Sequence, residues 1–274
     1  MIILKIGGGA TINLEATIQD LAILKQNNPD EKIIIIHGAN AVRDELASKL
    51  QIKKEVITSV SGYDSVLSNK DIIDLQMMAY AGLMNKRIVE LCQQSNINAI
   101  GLSGLDGKLI QGKRNRGIKT KIDGKFKLLK DLSGKPKAIN TKLLTLLLNA
   151  NYTPILCVPI IDEKNIAINS ENDDIVRVLT QELKLKENIT VNKIIMLIEA
   201  PGFLDNKDDP TTLVKSITKE ELQARTQQVE GRMKRKMLSL TKLFEAGAST
   251  VHISDGRTQT PITDIINGKG TIIQ

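Results

Sequence analysis

The sequence contains short runs of aliphatic residues that lack any regular alternation of polar and apolar positions. The run "IILKI" at 2–6 ends at three successive glycines, and the run "KIIII" at 32–36 ends at "HGAN". Uninterrupted aliphatic runs are typical of strands that are buried on both faces, as in a parallel sheet covered by helices. The sequence therefore predicts an α/β fold.

Strand and helix patterns alternate along all 274 residues. We predict strands at 2–6, 32–36, 97–102, 154–160, 193–197, 250–254 and 271–273. We predict helices at 14–26, 42–50, 140–150, 172–183, 219–224 and 231–246, and two helices within 71–94 that are broken near Gly82. This alternation predicts a three-layer α/β/α sandwich around a mainly parallel open sheet. We expect two lobes that share the sheet, an N-terminal lobe at 1–165 and a C-terminal lobe at 166–274.

The net charge of +7 originates in one segment. Residues 108–137 contain eleven lysines and arginines against Asp123 and Asp131, so the segment carries +9 and the remainder of the chain −2. Polar and apolar residues alternate around Asp123-Gly124, which predicts a basic β-hairpin. A local excess of positive charge favours an acidic partner, and a merely solvated hairpin is the alternative.

Composition argues against several other classes of protein. Aromatic residues make up only 2% of the chain, which disfavours nucleic-acid binding by base stacking. No segment reaches the ~20 apolar residues of a membrane span, and the start "MIILKIGGG" is typical of a strand rather than a signal peptide. Cys92 and Cys157 form no close pair, and His37 and His252 are the only histidines, so neither a disulfide scaffold nor a Cys/His metal cluster is expected. We expect a cytoplasmic protein that binds neither membrane nor nucleic acid.

Two predicted strand ends carry glycines that suit phosphate binding. In "KIGGG" the glycines follow a buried strand and Lys5 lies just inside it, whereas "HGAN" at 37–40 follows the second strand. Backbone amides in such turns can approach an anion closely, and the carboxyl ends of parallel strands gather at one edge of the sheet. A plain tight turn is the alternative. "GKLIQGKR" at 107–114 is not a P-loop, because no Ser or Thr follows its lysine and no helix follows the motif.

A cluster of polar residues, "INSENDDIV" at 168–176, marks a helix start. Capping of the free amides accounts for Asn172 and Asp174. Asn169 and Asp173 are candidates for facing the cleft instead, where a carboxylate would position nearby lysines.

The order of these motifs resembles that of the amino acid kinase family over essentially the whole chain. The motifs are "KIGGG", "HGAN", "AINSENDD", "APGFLD", "GRMKRKM" and a closing "GKGT". Within the family, acetylglutamate kinases are the more similar group. "GLMNKRIVEL" at 82–91, "NAIGLSGLDGKL" at 98–109 and "GRMKRKM" at 231–237 resemble most the branch that phosphorylates aminoadipate or glutamate held on the small acidic amino-group carrier protein LysW.

The resemblance implies the amino acid kinase fold and an ATP-dependent phosphorylation of a side-chain carboxylate, which yields an acyl phosphate in lysine or arginine biosynthesis. It implies Mg²⁺ held by the ATP phosphates and a homodimer or larger homo-oligomer. It assigns catalysis to Lys5, Lys236 and Asp173, and phosphate and substrate binding to Gly7, Gly8, Gly38, Ala39, Val66 and Asn169. It places the nucleotide at Pro201, Gly202, Phe203 and Lys236, and makes the hairpin a docking surface for LysW through Lys113, Arg114, Arg116, Lys119, Lys121 and Lys125.

The chain departs from the family pattern at three places. Val66 stands where the family has an arginine for the substrate α-carboxylate, and Ala39 replaces a glycine. "IEA" at 198–200 replaces a Ser or Asn before the "PG" pair. Arg43, Lys70 or the carrier protein itself could compensate for the missing arginine. Two alternatives therefore remain: an acetylglutamate kinase that acts on free N-acetylglutamate, and a catalytically weakened homologue that binds the carrier or nucleotide.

Overall fold

The computed structural model describes the backbone of the chain except at residues 59, 61–63, 123–124, 207 and 229–230. It leaves out, in addition, the side chains of residues 64–65, 122, 228 and 231–236. The predicted Asp123-Gly124 turn and the side chain of Lys236 therefore lie outside the described residues.

A central sheet of eight strands runs through the molecule. In spatial order the strands are β14 (Ser216–Ile217), β16 (Thr271–Ile273), β15 (Thr250–Asp255), β13 (Lys193–Ile198), β1 (Ile2–Ile6), β2 (Ile33–His37), β10 (Thr153–Cys157) and β5 (Ala99–Ser103). All neighbours are parallel except β15 and β16. β1 lies in the middle, and Leu4 is paired with Ile195 on one side and Ile35 on the other. The predicted mainly parallel sheet is confirmed.

Helices cover both faces of this sheet. They are α1 (Leu14–Asn27), α2 (Asn40–Lys49), α3 (Lys70–Gln76), α4 (Asn85–Gln94), α5 (Thr141–Asn149), α6 (Asn172–Glu187), α7 (Lys219–Gln228), α8 (Gly231–Glu245) and α9 (Pro261–Ile266). α1 packs against α4 and α9, whereas α6 packs against α5 and α8, so the two groups form the outer layers. Asparagine caps begin three of the helices: the side chains of Asn13, Asn69 and Asn140 accept hydrogen bonds from the amides of Ala16, Ile72 and Leu143, respectively.

The prediction of two helices within 71–94 is wrong. A π-helical segment, Met77–Met84, joins α3 to α4 without a break. The residues at both joins have right-handed helical dihedral angles, and the amide of Asn85 bonds to the carbonyl of Tyr80, five residues earlier. Gly82 therefore lies inside a widened turn of one continuous helix.

The predicted strand at 154–160 is also wrong in its extent. β10 ends at Cys157, and the chain then enters a second sheet. This sheet contains, in spatial order, β12 (Ala167–Ile168), β11 (Ile160–Ile161), β6 (Ile110–Arg114) and β9 (Gly134–Ile139). One aliphatic run thus supplies strands to two sheets, which a run of this kind does not reveal.

The basic segment 108–137 forms two antiparallel pairs. β6 pairs with β9, and β7 (Ile118–Ile122) pairs with β8 (Lys125–Leu129). A further short pair, β3 (Val56–Thr58) and β4 (Asp64–Val66), lies beside the second, since the amide of Val60 bonds to the carbonyl of Lys119. The predicted hairpin is confirmed outside its turn.

The pairing of β7 with β8 divides their side chains between two faces. Lys119 is opposite Leu128 and Lys121 is opposite Phe126, so these four share one face. The ammonium of Lys119 lies 5.0 Å from the centroid of the Phe126 ring. Lys125 lies on the other face, because it is opposite Ile122.

Among the described residues, no helix is both long and apolar enough to cross a membrane. Cys92 and Cys157 are buried free thiols, and burial raises the pKa of each to about 12. The division into lobes at residue 165 stays a prediction.

Candidate active site

A cleft of about 320 Å³ opens where β1 and β2 end. Its walls come from the two strand ends, the start of α2, the helix through Gln76 and Tyr80, and the start of α6. The lining residues are Lys5, Ile6, Gly7, Gly8, Gly38, Asn40, Arg43, Val66, Gln76, Tyr80, Val158, Asn169, Ser170, Glu171, Asn172 and Asp173. Parallel strands therefore bring the two predicted glycine turns to one site.

The two glycine turns touch through their backbones. A Cβ atom on Gly8 would lie 2.7 Å from the backbone nitrogens of both Ala39 and Asn40, and one on Gly38 would lie 2.8 Å from the nitrogen of Gly8. Neither contact leaves room for a side chain. The register makes this contact necessary, because Ile6 is paired with His37 and both chains turn directly afterwards.

This contact leaves a group of backbone amides available to a ligand. The amides of Gly8 and Asn40 make no hydrogen bond to the described residues, whereas the amide of Gly7 bonds to Leu197, that of Gly38 to Ile6 and that of Ala39 to the Tyr80 oxygen. Asn40 is the first residue of α2, where the helix dipole is positive. The arrangement suits an anionic oxygen group such as a phosphate or a carboxylate.

A lysine and a carboxylate stand beside these amides. Lys5 is the one partly exposed residue of β1, and its ammonium forms an ion pair with Asp173 at the start of α6. The Lys5 side chain is 17% exposed, whereas that of Asp173 is 41% exposed. Asp173 thus fixes the position of the ammonium without removing it from the cleft.

A buried histidine holds the second turn. His37 has its Nδ1 atom 3.2 Å from the carbonyl of Gly38 and its Nε2 atom 3.2 Å from the side-chain nitrogen of Asn85. Asn85 also donates to the carbonyl of Ile155. These contacts fit a neutral ring that donates from Nδ1 and accepts at Nε2, and burial lowers the pKa of His37 to about 4.

Asparagine side chains connect the other walls of the cleft. Gln76 donates from Nε2 to Oδ1 of Asn169 at 2.7 Å, and Asn169 donates to the hydroxyl of Ser68 at 3.4 Å. Asn172 donates to the carbonyl of His37 at 3.1 Å, which ties the start of α6 to β2. The expectation that Asn172 caps the helix is therefore wrong, because its side chain leaves the helix to bond to another element.

Three polar oxygens in this wall have no partner among the described residues. They are Oε1 of Gln76, Oγ of Ser170 and Oδ1 of Asn172. Gln76 is only 1% exposed, so its carbonyl oxygen is buried without a hydrogen bond. Buried acceptors are normally satisfied, which suggests that a ligand or water donates to them.

One further cation lines the cleft. Arg43 on α2 is 15% exposed in its side chain and donates to Oδ1 of Asp44 from both Nε and Nη2, at 3.0 and 2.9 Å. Among the lining residues only Lys5 and Arg43 carry positive charge. Val66 lies in the same cleft, whereas Lys70 does not line it.

Ala39 differs from the glycines of the two turns in its surroundings. It is fully buried in the hydrophobic core and does not line the cleft. Its φ of −154° is open to any residue, so this position needs no glycine.

The predicted nucleotide loop lies apart from this cleft. Phe203 is 3% exposed, and its amide bonds to the hydroxyl of Thr271 at 2.8 Å. A Cβ atom on Gly202 would lie 2.7 Å from the same hydroxyl. Pro201, Gly202 and Phe203 therefore pack against β16, and the Phe203 side chain belongs to the core.

Glu199, which precedes this loop, connects it to Thr11 after the first glycine turn. Its Oε1 atom accepts hydrogen bonds from the amide and the hydroxyl of Thr11, at 2.9 and 2.7 Å. These hydrogen bonds lower the pKa of Glu199. A Cβ atom on Gly9 would lie 2.0 Å from the Glu199 carboxyl group, so a side chain at this position would displace Glu199 from Thr11.

Sequence reasoning found Lys5, the glycines and Asp173, but missed five residues that the structure brings to the site. These are His37 in its bracing contact, Gln76, Tyr80, Asn85 and Glu199. Tyr80 donates to Oδ1 of Asn40 at 2.6 Å, and burial raises its pKa. Of these five residues only Glu199 had a signal in the sequence, because "IEA" at 198–200 departs from the family pattern.

Comparisons with known proteins agree on one family. A family model described as the amino acid kinase family matches residues 1–255. A LysW-aminoadipate kinase of Thermus thermophilus is 34% identical over 277 residues, covering 100% of both chains. An acetylglutamate kinase of Methanocaldococcus jannaschii is 28% identical and covers 93% of this chain and 83% of its own. A solved carbamate kinase of Giardia lamblia bound to AMP-PNP shares the fold, with a TM-score of 0.66, 14% identity and coverage of 99% and 97%.

The His37 ring makes stability depend on pH. The folded state keeps the ring neutral down to about pH 4, whereas the unfolded chain protonates it near 6.5. The unfolded state then binds more protons, so the free energy of unfolding falls as the pH decreases through this window. Between pH 7 and pH 5 the free energy of unfolding should therefore decrease by about 2 kcal/mol less in His37→Gln than in the wild type, as measured by urea unfolding.

His252, whose pKa burial also lowers to about 4, provides the matched control. Each single variant should remove part of the pH dependence of the free energy of unfolding, and the double variant should remove both parts. A His37→Gln profile parallel to that of the wild type would contradict the assignment of a neutral ring.

Proposed function

Because the chain belongs to the amino acid kinase family, we propose that it phosphorylates the side-chain carboxylate of an amino acid carried by LysW. The substrate is aminoadipate, glutamate or both, and the product is an acyl phosphate. The broader class, an ATP-dependent phosphotransferase with a carboxylate acceptor, follows from the family and its kinase relatives. The sequence resemblance to this family is thereby confirmed.

The observation that carries the proposal is the pairing of free amides with Lys5. The amides of Gly8 and Asn40 can hold oxygens of the acceptor carboxylate and of the phosphoryl group, while the Lys5 ammonium lies next to them. Phosphoryl transfer needs alignment and positive charge more than covalent assistance. Asp173 positions Lys5, and Lys236 is the proposed second lysine on the nucleotide side.

The cleft suits a phosphate group because the unbonded amides of Gly8 and Asn40 and the ammonium of Lys5 lie along its lining. Among the described side chains, no three His, Cys, Asp or Glu residues gather into a metal site. We expect Mg²⁺ to be held by the ATP phosphates, which are its usual ligands in kinases. When bound, it neutralises charge on the β- and γ-phosphates. The loop at Pro201, Gly202 and Phe203 stays the proposed nucleotide side, acting through its backbone.

Arg43 is the proposed partner of the substrate α-carboxylate. An amino acid attached through its amino group keeps this carboxylate free, and Val66 cannot bind it. Among the described residues that line the cleft, Arg43 is the one cation besides Lys5. Asp44 holds its Nε and Nη2 atoms, which fixes the guanidinium and leaves its remaining donors for a ligand.

The unpartnered acceptors support a substrate with an acylated amino group. Oε1 of Gln76 accepts no hydrogen bond from the described residues. The amide N–H of such a linkage could donate one to it. This feature is common to a carrier-linked amino acid and to N-acetylglutamate. It therefore supports both substrate classes over a free amino group, which would bring a positive charge.

The basic hairpin favours the carrier-linked amino acid over free N-acetylglutamate as the substrate. Lys119 and Lys121 share a face with Phe126 and Leu128, which are 63% and 61% exposed. Such a mixed face of cations and apolar side chains suits an acidic protein surface. Lys113, Arg114 and Arg116 belong to the proposed docking set as well, whereas Lys125 lies on the opposite face of the hairpin.

A panel of three acceptors tests the proposed substrate. We expect ADP release and a trapped acyl hydroxamate with LysW-linked aminoadipate or LysW-linked glutamate, and at least about 100-fold lower kcat/KM with free N-acetylglutamate, since the free acid lacks the hairpin contacts. Turnover with the free acid alone would identify an acetylglutamate kinase. Tight carrier binding without turnover would identify a weakened homologue.

The two faces of the hairpin provide a matched test of docking. Lys119→Glu with Lys121→Glu should raise KM for the carrier-linked substrate by about tenfold or more and leave kcat nearly unchanged, because the contacts are remote from the reacting atoms. Lys125→Glu with Lys127→Glu changes the charge by the same amount on the other face and should raise this KM less. Equal effects of the two pairs would contradict docking through the Lys119 face.

The two cations of the cleft should affect different kinetic constants. Lys5→Met should lower kcat about 100- to 1000-fold, because it removes charge stabilisation from the phosphoryl group. Arg43→Met should mainly raise KM, by about 10- to 100-fold, the value of a lost charge-assisted hydrogen bond. Lys54→Met is the control, since Lys54 also pairs with Asp44 but does not line the cleft. An Arg43→Met enzyme with unchanged KM would exclude Arg43 as the carboxylate partner.

A further inference from the structure

A second cleft lies between β9, α6 and α8, away from the active site. Its volume is about 590 Å³, within the usual range for small-molecule sites. None of its lining residues lines the active-site cleft. They are Lys135, Lys137, Arg177, Gln181, Lys184, Leu185, Lys242, Glu245 and Ala246.

Positive charge dominates this second cleft. Five of the nine lining residues are lysine or arginine, against Glu245 as the one carboxylate. The cations come from three elements: β9 supplies two, α6 supplies Arg177 and Lys184, and α8 supplies Lys242. Three of them lie outside 108–137, in the part of the chain whose net charge is −2. Their convergence is therefore a property of the fold rather than of one basic segment.

These cations are largely unpaired in the described part of the chain. The ion pairs of the described residues include none from the four lysines of the cleft, whereas the neighbouring Lys186 pairs with Glu182. Arg177 approaches Asp174 only to 3.5 Å, and its Nε atom is buried without a hydrogen bond. The helix dipole favours Lys184 near the end of α6, but it does not explain Arg177 or the lysines of β9.

The cleft also offers apolar and amide surface. Leu185 is 69% exposed, and Ala246 and the amide side chain of Gln181 lie in the same lining. Lysine and arginine together with a small apolar area match an organic phosphate, since guanidinium and ammonium groups are the usual donors to phosphate oxygens. A concave site with cations on three sides favours a compact ligand over the broad surface of an acidic protein.

We propose that this second cleft binds a small phosphorylated molecule that carries at least two negative charges. The proposal is independent of the kinase reaction, because binding requires neither acceptor nor turnover.

Calorimetry with inorganic tripolyphosphate as the probe tests the site, in about 0.15 M salt so that weak surface attraction is screened. Lys135→Gln, Lys184→Gln and Lys242→Gln are combined in one variant. Because these lysines are exposed, we expect it to fold, which thermal unfolding checks. It should lose about tenfold or more in affinity at one site. Leu185→Glu adds a carboxylate and leaves every lysine in place, and it should lower the affinity for tripolyphosphate by a similar factor.

Two control variants separate binding at the second cleft from a general effect of charge and from binding at the active site. Combined Lys119→Gln, Lys121→Gln and Lys127→Gln changes the net charge equally on the hairpin and should leave the affinity unchanged. Lys5→Met removes a cation from the active-site cleft and should leave the second site intact.

Equal loss in the hairpin variant, or loss only in Lys5→Met, would overturn the proposal. Unchanged binding in both cleft variants would do so as well. Loss of affinity for an acidic carrier with retained tripolyphosphate binding would show instead that the cleft is a protein-docking surface.

Discussion

The contact between Gly8 and Gly38 is the constraint around which the site is built. It arises because β1 and β2 are parallel neighbours in register and both turn at the same level of the sheet. No side chain fits between the turns, so the amides that remain free face one small volume. The anion-binding capacity is thus a property of strand pairing, and Lys5 and Arg43 add charge to it.

The parts of the site that could be predicted are those whose signals are local in sequence. Lys5 and the glycines follow directly from the end of a buried run, and Asp173 lies at a recognisable helix start. Gln76 and Asn85 carry no such signal, because they lie inside a helix and reach the site only through the packing of that helix on the strand ends. Hydrophobic periodicity predicts the helix but not which polar side chains it directs inwards.

The remaining errors have a common physical origin. The aliphatic run of seven residues at 154–160 predicts one strand, yet its two ends enter different sheets. Asn172 has the residue type of a cap, but bonds to the carbonyl of His37 instead. The sequence presents the cations of 108–137 as equivalent, and only the register of β7 with β8, in which Lys119 is opposite Leu128, assigns the lysines of this pair to faces. Each outcome depends on a partner that is distant in sequence.

The π-helical segment 77–84 has a geometric consequence for the cleft wall. In an α-helix, positions five residues apart point about 140° away from each other, so Tyr80 and Asn85 could not face the same side. The widened turn, closed by the bond from the amide of Asn85 to the carbonyl of Tyr80, lets Asn85 contact His37 at the end of β2 and Tyr80 contact Asn40 at the start of α2. One helix can then line the cleft with Tyr80 and brace the glycine turn with Asn85. The surplus residue in that turn thereby acts as a spacer, and its loss would alter the shape of the cleft without replacing any residue that lines it.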